Sequence, residues 1–153
     1  MNNLNLSPFA TSLFTNIRLV ERYGELANQF SDFDNKISKL DKKEISKIIK
    51  SCGYSFVYID RCYYIKETAG DFTFHTRIEL SGGVARMVLN AEKNNEWQDF
   101  RGGSIGRINK LLLDLETGTL VCFSNYEQLS IILRAYFSIY EDFKIEFLKQ
   151  VVN

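Results

Sequence analysis

The chain has 153 residues, of which 45% are hydrophobic and 25% charged, and 19 Lys and Arg balance 19 Asp and Glu. These values are typical of one globular domain, residues 1–153, and they exclude a fibrous or largely disordered protein. The zero net charge predicts no general attraction to nucleic acid or to a membrane surface, and no stretch reaches the roughly 18 apolar residues of a membrane span.

Two helices are predicted in the first third of the chain. Ser7 and Pro8 form a helix start, and the apolar stripe that follows continues towards Phe30 without a necessary stop at Gly24. Asp41 with Glu44 forms a capping box for the second helix, which Gly53 ends. The predicted apolar positions are Phe9, Leu13, Ile17, Val20 and Leu26 in the first helix, and Ile45, Ile48, Ile49 and Cys52 in the second.

From Tyr54 onward the pattern predicts strands, at 54–59, 61–67, 72–80 and 84–91. The alternation is clearest in 72–80, where Phe72, Phe74, Thr76, Ile78 and Leu80 share one face and Thr73, His75, Arg77 and Glu79 share the other. In 84–91 it places Ala85, Met87 and Leu89 inward, and Arg86 and Asn90 outward. The Ser81-Gly82-Gly83 turn between these strands completes an antiparallel hairpin with one solvent-exposed face.

The last third of the chain predicts a polar loop, a helix, a short strand and a long helix. The loop is 92–103, and Ser104 begins a helix that Gly118 closes. A strand is expected at 119–123, and Ser124 with Glu127 caps the final helix. The first of these helices has apolar positions at Ile105, Ile108, Leu111, Leu112 and Leu115; the second has an aromatic-rich stripe of Tyr126, Leu129, Leu133, Tyr136, Tyr140, Phe143 and Phe147.

This order of elements predicts an α+β fold, an antiparallel sheet of about four to five strands packed against N-terminal and C-terminal helices. The wide stripe on the final helix favours burial in its own domain and a monomer, with a dimer through that helix as the alternative. Cys52, Cys62 and Cys122 are odd in number and lack paired spacing, which indicates buried, reduced thiols. Because residues 1–8 lack the features of a signal peptide, we expect a cytoplasmic protein.

Aromatic residues are abundant, with 12 Phe, 8 Tyr and 1 Trp, whereas His75 is the only histidine. Aromatic rings build cores and interfaces, whereas histidine is the most frequent general acid or base. The carboxylates and thiols show neither metal-ligand spacing nor a nucleophile motif. We therefore expect a binding protein without enzymatic activity, metal or cofactor.

Two segments carry an alternative function. His75 and Arg77 share a strand face, an arrangement that a nuclease-like protein could use for phosphate chemistry. Residues 102–107 open a helix, where Gly103, Ser104 and Arg107 could bind a phosphate, although the glycine spacing fits no nucleotide-binding motif. The alternative is thus a nucleotide- or phosphate-binding or nuclease-like domain that uses His75 and the helix start at Gly102–Arg107.

A protein partner is predicted at the hairpin and the adjoining loop. Trp97 lies in a polar loop that has no structural need for it, and Trp is frequent among residues that dominate interface energies. The alternative is that this side chain covers the core. The predicted partner-binding residues are Arg77, Glu79, Arg86, Glu96, Trp97 and Asp99.

In general character the chain resembles the immunity proteins of bacterial polymorphic-toxin and contact-dependent growth inhibition systems. The resemblance is in size, α+β order, Asn-, Lys- and Ile-rich composition and lack of catalytic motifs. It implies a small cytoplasmic protein that binds and neutralises one toxin domain. It transfers no functional residue, because no sequence motif carries it.

Overall fold

The structure, a computed structural model, describes residues 6–94, 96–97 and 103–152, with the backbone alone at 96, 97 and 152. In these residues helices precede and follow a group of strands, which confirms the α+β class. The helices are α1 (Pro8–Asn16), α2 (Leu19–Gln29), α3 (Lys42–Ser51), α4 (Ile105–Leu113) and α5 (Tyr126–Val152). The strands are β1 (Val57–Ile59), β2 (Cys62–Ala69), β3 (Phe72–Ser81), β4 (Val84–Lys93), β5 (Glu96–Trp97) and β6 (Gly103–Ser104).

Strands β1 to β5 lie side by side in chain order and are antiparallel, as predicted for a sheet of about four to five strands. The two-residue strand β6 also pairs with β4. The predicted hairpin between β3 and β4 is confirmed, with Ser81 opposite Val84 across the turn. Gly82 and Gly83 have φ angles of 59° and 76°, the left-handed conformation that tight hairpin turns require.

The two faces of the sheet differ, although less than the sequence pattern predicts. The inner face carries the predicted apolar row of β3, and it packs against α5 through contacts such as that of Phe74 with Phe143. The face predicted to be solvent-exposed, which we call the outer face, is only partly exposed. His75, Arg77 and Glu79 are half-buried there. Arg77 pairs with Glu79, His75 lies 3.5 Å from Glu92, and the buried Val88 lies opposite Arg77.

Helix α5 lies at the centre of the fold. From Leu129 to Phe147 the predicted stripe is fully buried, which confirms that it belongs to the core. Phe143 stacks on Phe14 of α1, and Phe147 makes edge contacts with Phe9 of α1 and Phe72 of β3. The stripe is therefore occupied by its own domain and is not available as a dimer seam.

The first predicted helix is divided in two. The Ser7 hydroxyl caps α1 as expected, accepting from the Ala10 N–H at 3.1 Å. At Arg18, however, φ is 60°, and this left-handed residue ends one helix and begins the next. The change of direction turns Leu19 into the core and leaves Val20 half-buried, so the stripe expected through Val20 is wrong.

The predictions around α4 need two corrections. The helix ends at Leu113, because Asp114 adopts a left-handed conformation with φ of 52°, and Leu115 is exposed. Residues 119–123 form no regular strand. Instead the Val121 carbonyl accepts from Ala85 N–H at 2.9 Å, and Cys122 N–H donates to Phe30 O at 3.0 Å. The segment is thus held between β4 and the end of α2.

Both predicted capping boxes are modified. The Asp41 carboxylate accepts from Lys43 N–H at 2.9 Å, but Asp41 N–H donates to the Tyr126 hydroxyl, while Glu44 pairs with Lys47. At α5 the cap lies one residue later than expected. Asn125 accepts from Gln128 N–H, and the Gln128 side chain accepts from Ser124 N–H, both at 2.8 Å.

The three cysteines lie apart as free thiols. Cys62 and Cys122 are buried as predicted, and burial raises the pKa of each thiol. Cys52 is only half-buried, at the end of α3. Within the described residues, no helix combines the length and apolar character that a membrane crossing requires.

Candidate functional site

The outer face of the sheet brings together three of the predicted partner-binding residues. Arg77 and Glu79 form an ion pair of 3.5 Å along β3, and Arg86 of β4 lies directly opposite Glu79. Ion pairs of this exposure contribute little to stability, about 0–1 kcal/mol. The fold therefore does not depend on this ion pair.

The remaining predicted partner-binding residues are only partly covered by the structure. The backbone of Glu96 and Trp97 forms β5, with Trp97 opposite Glu92 of β4. Their side chains, and Asp99 entirely, lie outside the described residues. The choice between interface and core for Trp97 stays a prediction.

His75 also lies on the outer face, in the middle of β3. Its Nε2 atom is 3.5 Å from a Glu92 carboxylate oxygen, and its backbone neighbours are Lys66 and Asn90. A His–carboxylate pair can hold a proton, but nucleophilic catalysis also needs an activated group. The thiol on this face, Cys62, lies next to Glu79 at 3.8 Å, and burial raises its pKa, which makes it a weak nucleophile.

The predicted phosphate-binding helix start borders a cavity of about 220 Å³. Ser104 and Arg107 line this cavity, together with Arg86 of β4 and Lys110 of α4. Gly103 is close to it, since a Cβ atom at this residue would lie 3.5 Å from Arg107 Cδ. The Ser104 hydroxyl caps α4 by accepting from Arg107 N–H at 3.2 Å. Gly102 lies outside the described residues.

A polar cluster joins β2 to α5 on the inner side of the sheet. Lys144 Nζ lies 2.7 Å from Glu67 and 3.0 Å from Glu141, and Tyr54 donates to Glu141. Burial alone would lower the pKa of Lys144, but the two carboxylates outweigh it and raise this pKa. The cation is fully paired, which indicates a structural connection between the two elements.

The most exposed apolar segment is β1, which the sequence did not single out. Val57, Tyr58 and Ile59 are 58%, 37% and 51% exposed. In the described part of the chain, β1 is the end of the sheet and pairs only with β2. A two-residue turn joins Ile59 to Cys62, so these two residues form the last hydrogen-bonded pair of the hairpin. Because the direction of backbone hydrogen bonding alternates along an antiparallel strand, the N–H and C=O groups of Tyr58 point away from β2, towards the open edge.

A groove beside β1 is lined by aromatic rings and lysines. It has a volume of about 480 Å³, with Phe56, Tyr58 and Tyr63 on its apolar side. Lysines 42, 43, 47 and 50 of α3 form its other side, and Lys42 Nζ lies 4.1 Å from the centre of the Tyr58 ring. We call β1 together with this groove the β1–α3 surface.

Both parts of the β1–α3 surface can be found in the sequence, but the sequence does not show that they lie side by side. The sequence predicts a strand at 54–59, and the structure confirms it only for Val57–Ile59. The lysines follow from the polar side of α3, opposite the buried Ile45 and Ile49. That β1 lies at an open edge is a property of the sheet order, which no local pattern encodes.

The chain matches no protein family, and comparisons with curated proteins and with solved structures return no significant match. No group of three or more His, Cys, Asp or Glu side chains in the described ranges is placed to hold a metal ion. Functional assignment therefore depends on the geometry of the outer face, the cavity and the β1–α3 surface.

Proposed function

We propose that this protein binds another protein through the β1–α3 surface and blocks it, as immunity proteins of bacterial toxin systems do. The observation that carries the proposal is β1 itself, three consecutive exposed apolar residues on an open sheet edge. An exposed apolar patch bordered by charges is characteristic of interaction sites. A protein of this kind acts in the cytoplasm, where its three thiols stay reduced.

The open edge supports an extended segment as the part of the partner that docks. A partner strand can add to a sheet by hydrogen bonding to unpaired backbone groups, and Tyr58 presents such groups. Alternate side chains of that strand would then contact the groove or the outer face. Val57 and Ile59 point to the outer face, whereas Tyr58 lines the groove, so both sides of the docked segment find apolar contacts.

The charge of α3 supports an acidic partner segment. Four lysines border the groove, and the one acidic residue of α3, Glu44, already pairs with Lys47 at 3.3 Å. Complementary charge speeds association and selects the partner, because opposite charges attract before contact. We therefore propose an acidic, extended segment with apolar or aromatic side chains as the ligand.

The predicted partner-binding residues Arg77 and Glu79 extend this surface. Ile59, Cys62, Glu79 and Arg86 lie in one row across the sheet. Two strand spacings, roughly 10 Å, separate β1 from β3, so one partner can cover both. Trp97 in β5 lies four strands from β1, at the opposite edge.

The test is site-specific photo-crosslinking in the cells that make this protein. A photoreactive phenylalanine analogue replaces Tyr58 in one variant and Ile145 in a matched control; Ile145 is 63% exposed on α5, away from β1. We expect position 58, and not position 145, to crosslink one other protein. Mass spectrometry of the crosslinked peptide should identify an acidic, extended segment.

Three results at position 58 would contradict the proposal. These are no adduct at position 58, an adduct with a second copy of this chain, and a crosslinked segment that is basic. An adduct of the same protein at both positions would indicate non-specific proximity and would also count against the β1–α3 surface.

A further inference from the structure

The cavity at the start of α4 lies between several parts of the fold, including Tyr136 of α5. Its wall includes Tyr23 of α2, Arg86 of β4, Arg107 and Lys110 of α4, and Thr119 from the segment that follows α4. It is a separate location from the β1–α3 surface, because β4 lies three strands from β1. The cavity is proposed as a second site, although its Arg86 also ends the row of residues that begins at Ile59 of β1.

Three cations line this cavity, and none of the described residues that line it is acidic. Arg86, Arg107 and Lys110 form no ion pair within the part of the chain that the structure describes. The stems of the two α4 cations lie close to glycines: Arg107 Cδ and Lys110 Cδ would be 3.5 Å and 3.8 Å from Cβ atoms at Gly103 and Gly118. Like charges gathered around one space repel each other, and an anion between them would remove that cost.

Arg86 of β4 is the third cation of the cavity wall. Burial raises the pKa of the Tyr23 hydroxyl and of the Tyr136 hydroxyl, and the positive charge of Arg86 opposes both rises. Arg86, Tyr23 and Tyr136 line the same cavity. Arginine presents a planar set of N–H donors that suits the oxygens of a phosphate.

The neutral polar groups of the wall already have partners. Tyr23 donates to Thr119 O and Tyr136 donates to Ala85 O, each at 2.7 Å. The Ser104 oxygen accepts from Arg107 N–H, so the beginning of α4 is already capped. The three cations are the charged groups of the wall, and they lack an ion-pair partner among the described residues.

We propose that this cavity binds a phosphate group through Arg86, Arg107 and Lys110. The group is either inorganic phosphate or the terminal phosphate of a nucleotide, and both use the same contacts. The sequence-based alternative uses Gly103, Ser104 and Arg107; we retain Arg107 and add Arg86 and Lys110, which line the same cavity as Ser104.

The proposal is tested by titrating the purified protein with phosphate and with AMP, using isothermal calorimetry and thermal unfolding at constant ionic strength. Chloride serves as the reference anion. At tenfold excess over the dissociation constant, phosphate should raise the unfolding temperature by roughly 4 °C. Tighter binding of AMP than of phosphate would identify a nucleotide as the ligand, and equal or weaker binding would identify inorganic phosphate.

The decisive variant is Arg107→Gln with Lys110→Gln, and Arg134→Gln on the exposed side of α5 is the matched control. We expect the double variant to bind phosphate at least tenfold more weakly and to be at least as stable without ligand, because two like charges are gone. The control should bind as the wild type does. Absence of saturable phosphate binding by the wild type, or equal binding by the double variant, would overturn the proposal.

Discussion

Gly82 and Gly83 form the same turn, but only Gly83 also lies close to another part of the chain. Both have positive φ in the turn between β3 and β4. A Cβ atom at Gly82 would meet nothing within 4 Å, whereas one at Gly83 would lie 2.6 Å from Lys36 Cβ and 3.1 Å from the Ile37 backbone. Residues 36 and 37 pass close to this turn, and Ile37 N–H donates to Phe123 O at 3.0 Å.

We predict unequal effects of alanine at these two positions. Gly82→Ala should lower the free energy of unfolding by about 1 kcal/mol, the cost of a left-handed residue with a side chain. Gly83→Ala should lower it by about 2–4 kcal/mol, because crowding against 36–37 adds to that cost. Urea unfolding of the two variants measures the difference. Equal losses would show that the crossing segment moves aside freely.

At the scale of elements, α5 contributes to the response of the protein to high pH. Tyr136 and Tyr140 are fully buried on this helix, and burial raises the pKa of both hydroxyls well above the ordinary value of about 10. The unfolded chain loses these protons near pH 10, whereas the folded protein keeps them. Stability from these groups is therefore complete below pH 10 and declines as the pH rises further.

We predict that replacing both tyrosines by phenylalanine reduces this alkaline loss. Each buried tyrosine contributes up to about 1.4 kcal/mol per pH unit, so the pair contributes about 2.7 kcal/mol per unit above pH 10. Urea unfolding at pH 9 and at pH 11 should show a shallower decline in Tyr136→Phe/Tyr140→Phe than in the wild type. If both proteins lose the same free energy, the two hydroxyls ionise normally in the folded state.

Elements with strong local patterns were predictable from the sequence, and elements defined by distant partners were not. The β3–β4 alternation and the α5 stripe each bury one face, so their periods predict their environment. The break at Arg18 uses a left-handed arginine, which carries no sequence signal. Residues 119–123 form no regular strand, and their hydrogen bonds go to residues 23, 30, 37, 83 and 85, which no local pattern reveals.

In the candidate sites, too, local patterns predict some features, and contacts between distant elements define the others. Alternation correctly placed Arg77, Glu79 and Arg86 on one face, and the cap at Ser104 correctly began α4. The groove between α3 and β1, and the meeting of Arg86 with Lys110, depend on packing between elements far apart in sequence. Composition could not locate either site.

At the scale of the whole molecule, the core accounts for much of the aromatic content. One continuous core joins the five helices to the inner face of the sheet, and its largest fully buried side chains are mostly aromatic. Exposed large apolar residues elsewhere are scattered, which is ordinary for a globular protein. Val57, Tyr58 and Ile59 are the exception, because they are consecutive and beside a lysine-lined groove. This contrast is the basis for our proposed assignment of a binding function to β1.

The most direct test of that assignment is the affinity for the partner captured at Tyr58, measured by calorimetry on Ile59→Asp and Ile145→Asp. Both residues are more than half exposed, at 51% and 63%, so both variants should unfold at the wild-type temperature. Ile59→Asp removes an apolar contact and repels an acidic segment, so binding should weaken at least tenfold, or about 1.4 kcal/mol. Ile145→Asp should bind within twofold of the wild type. Equal affinity of the two variants for the partner would contradict the β1–α3 surface as the binding site.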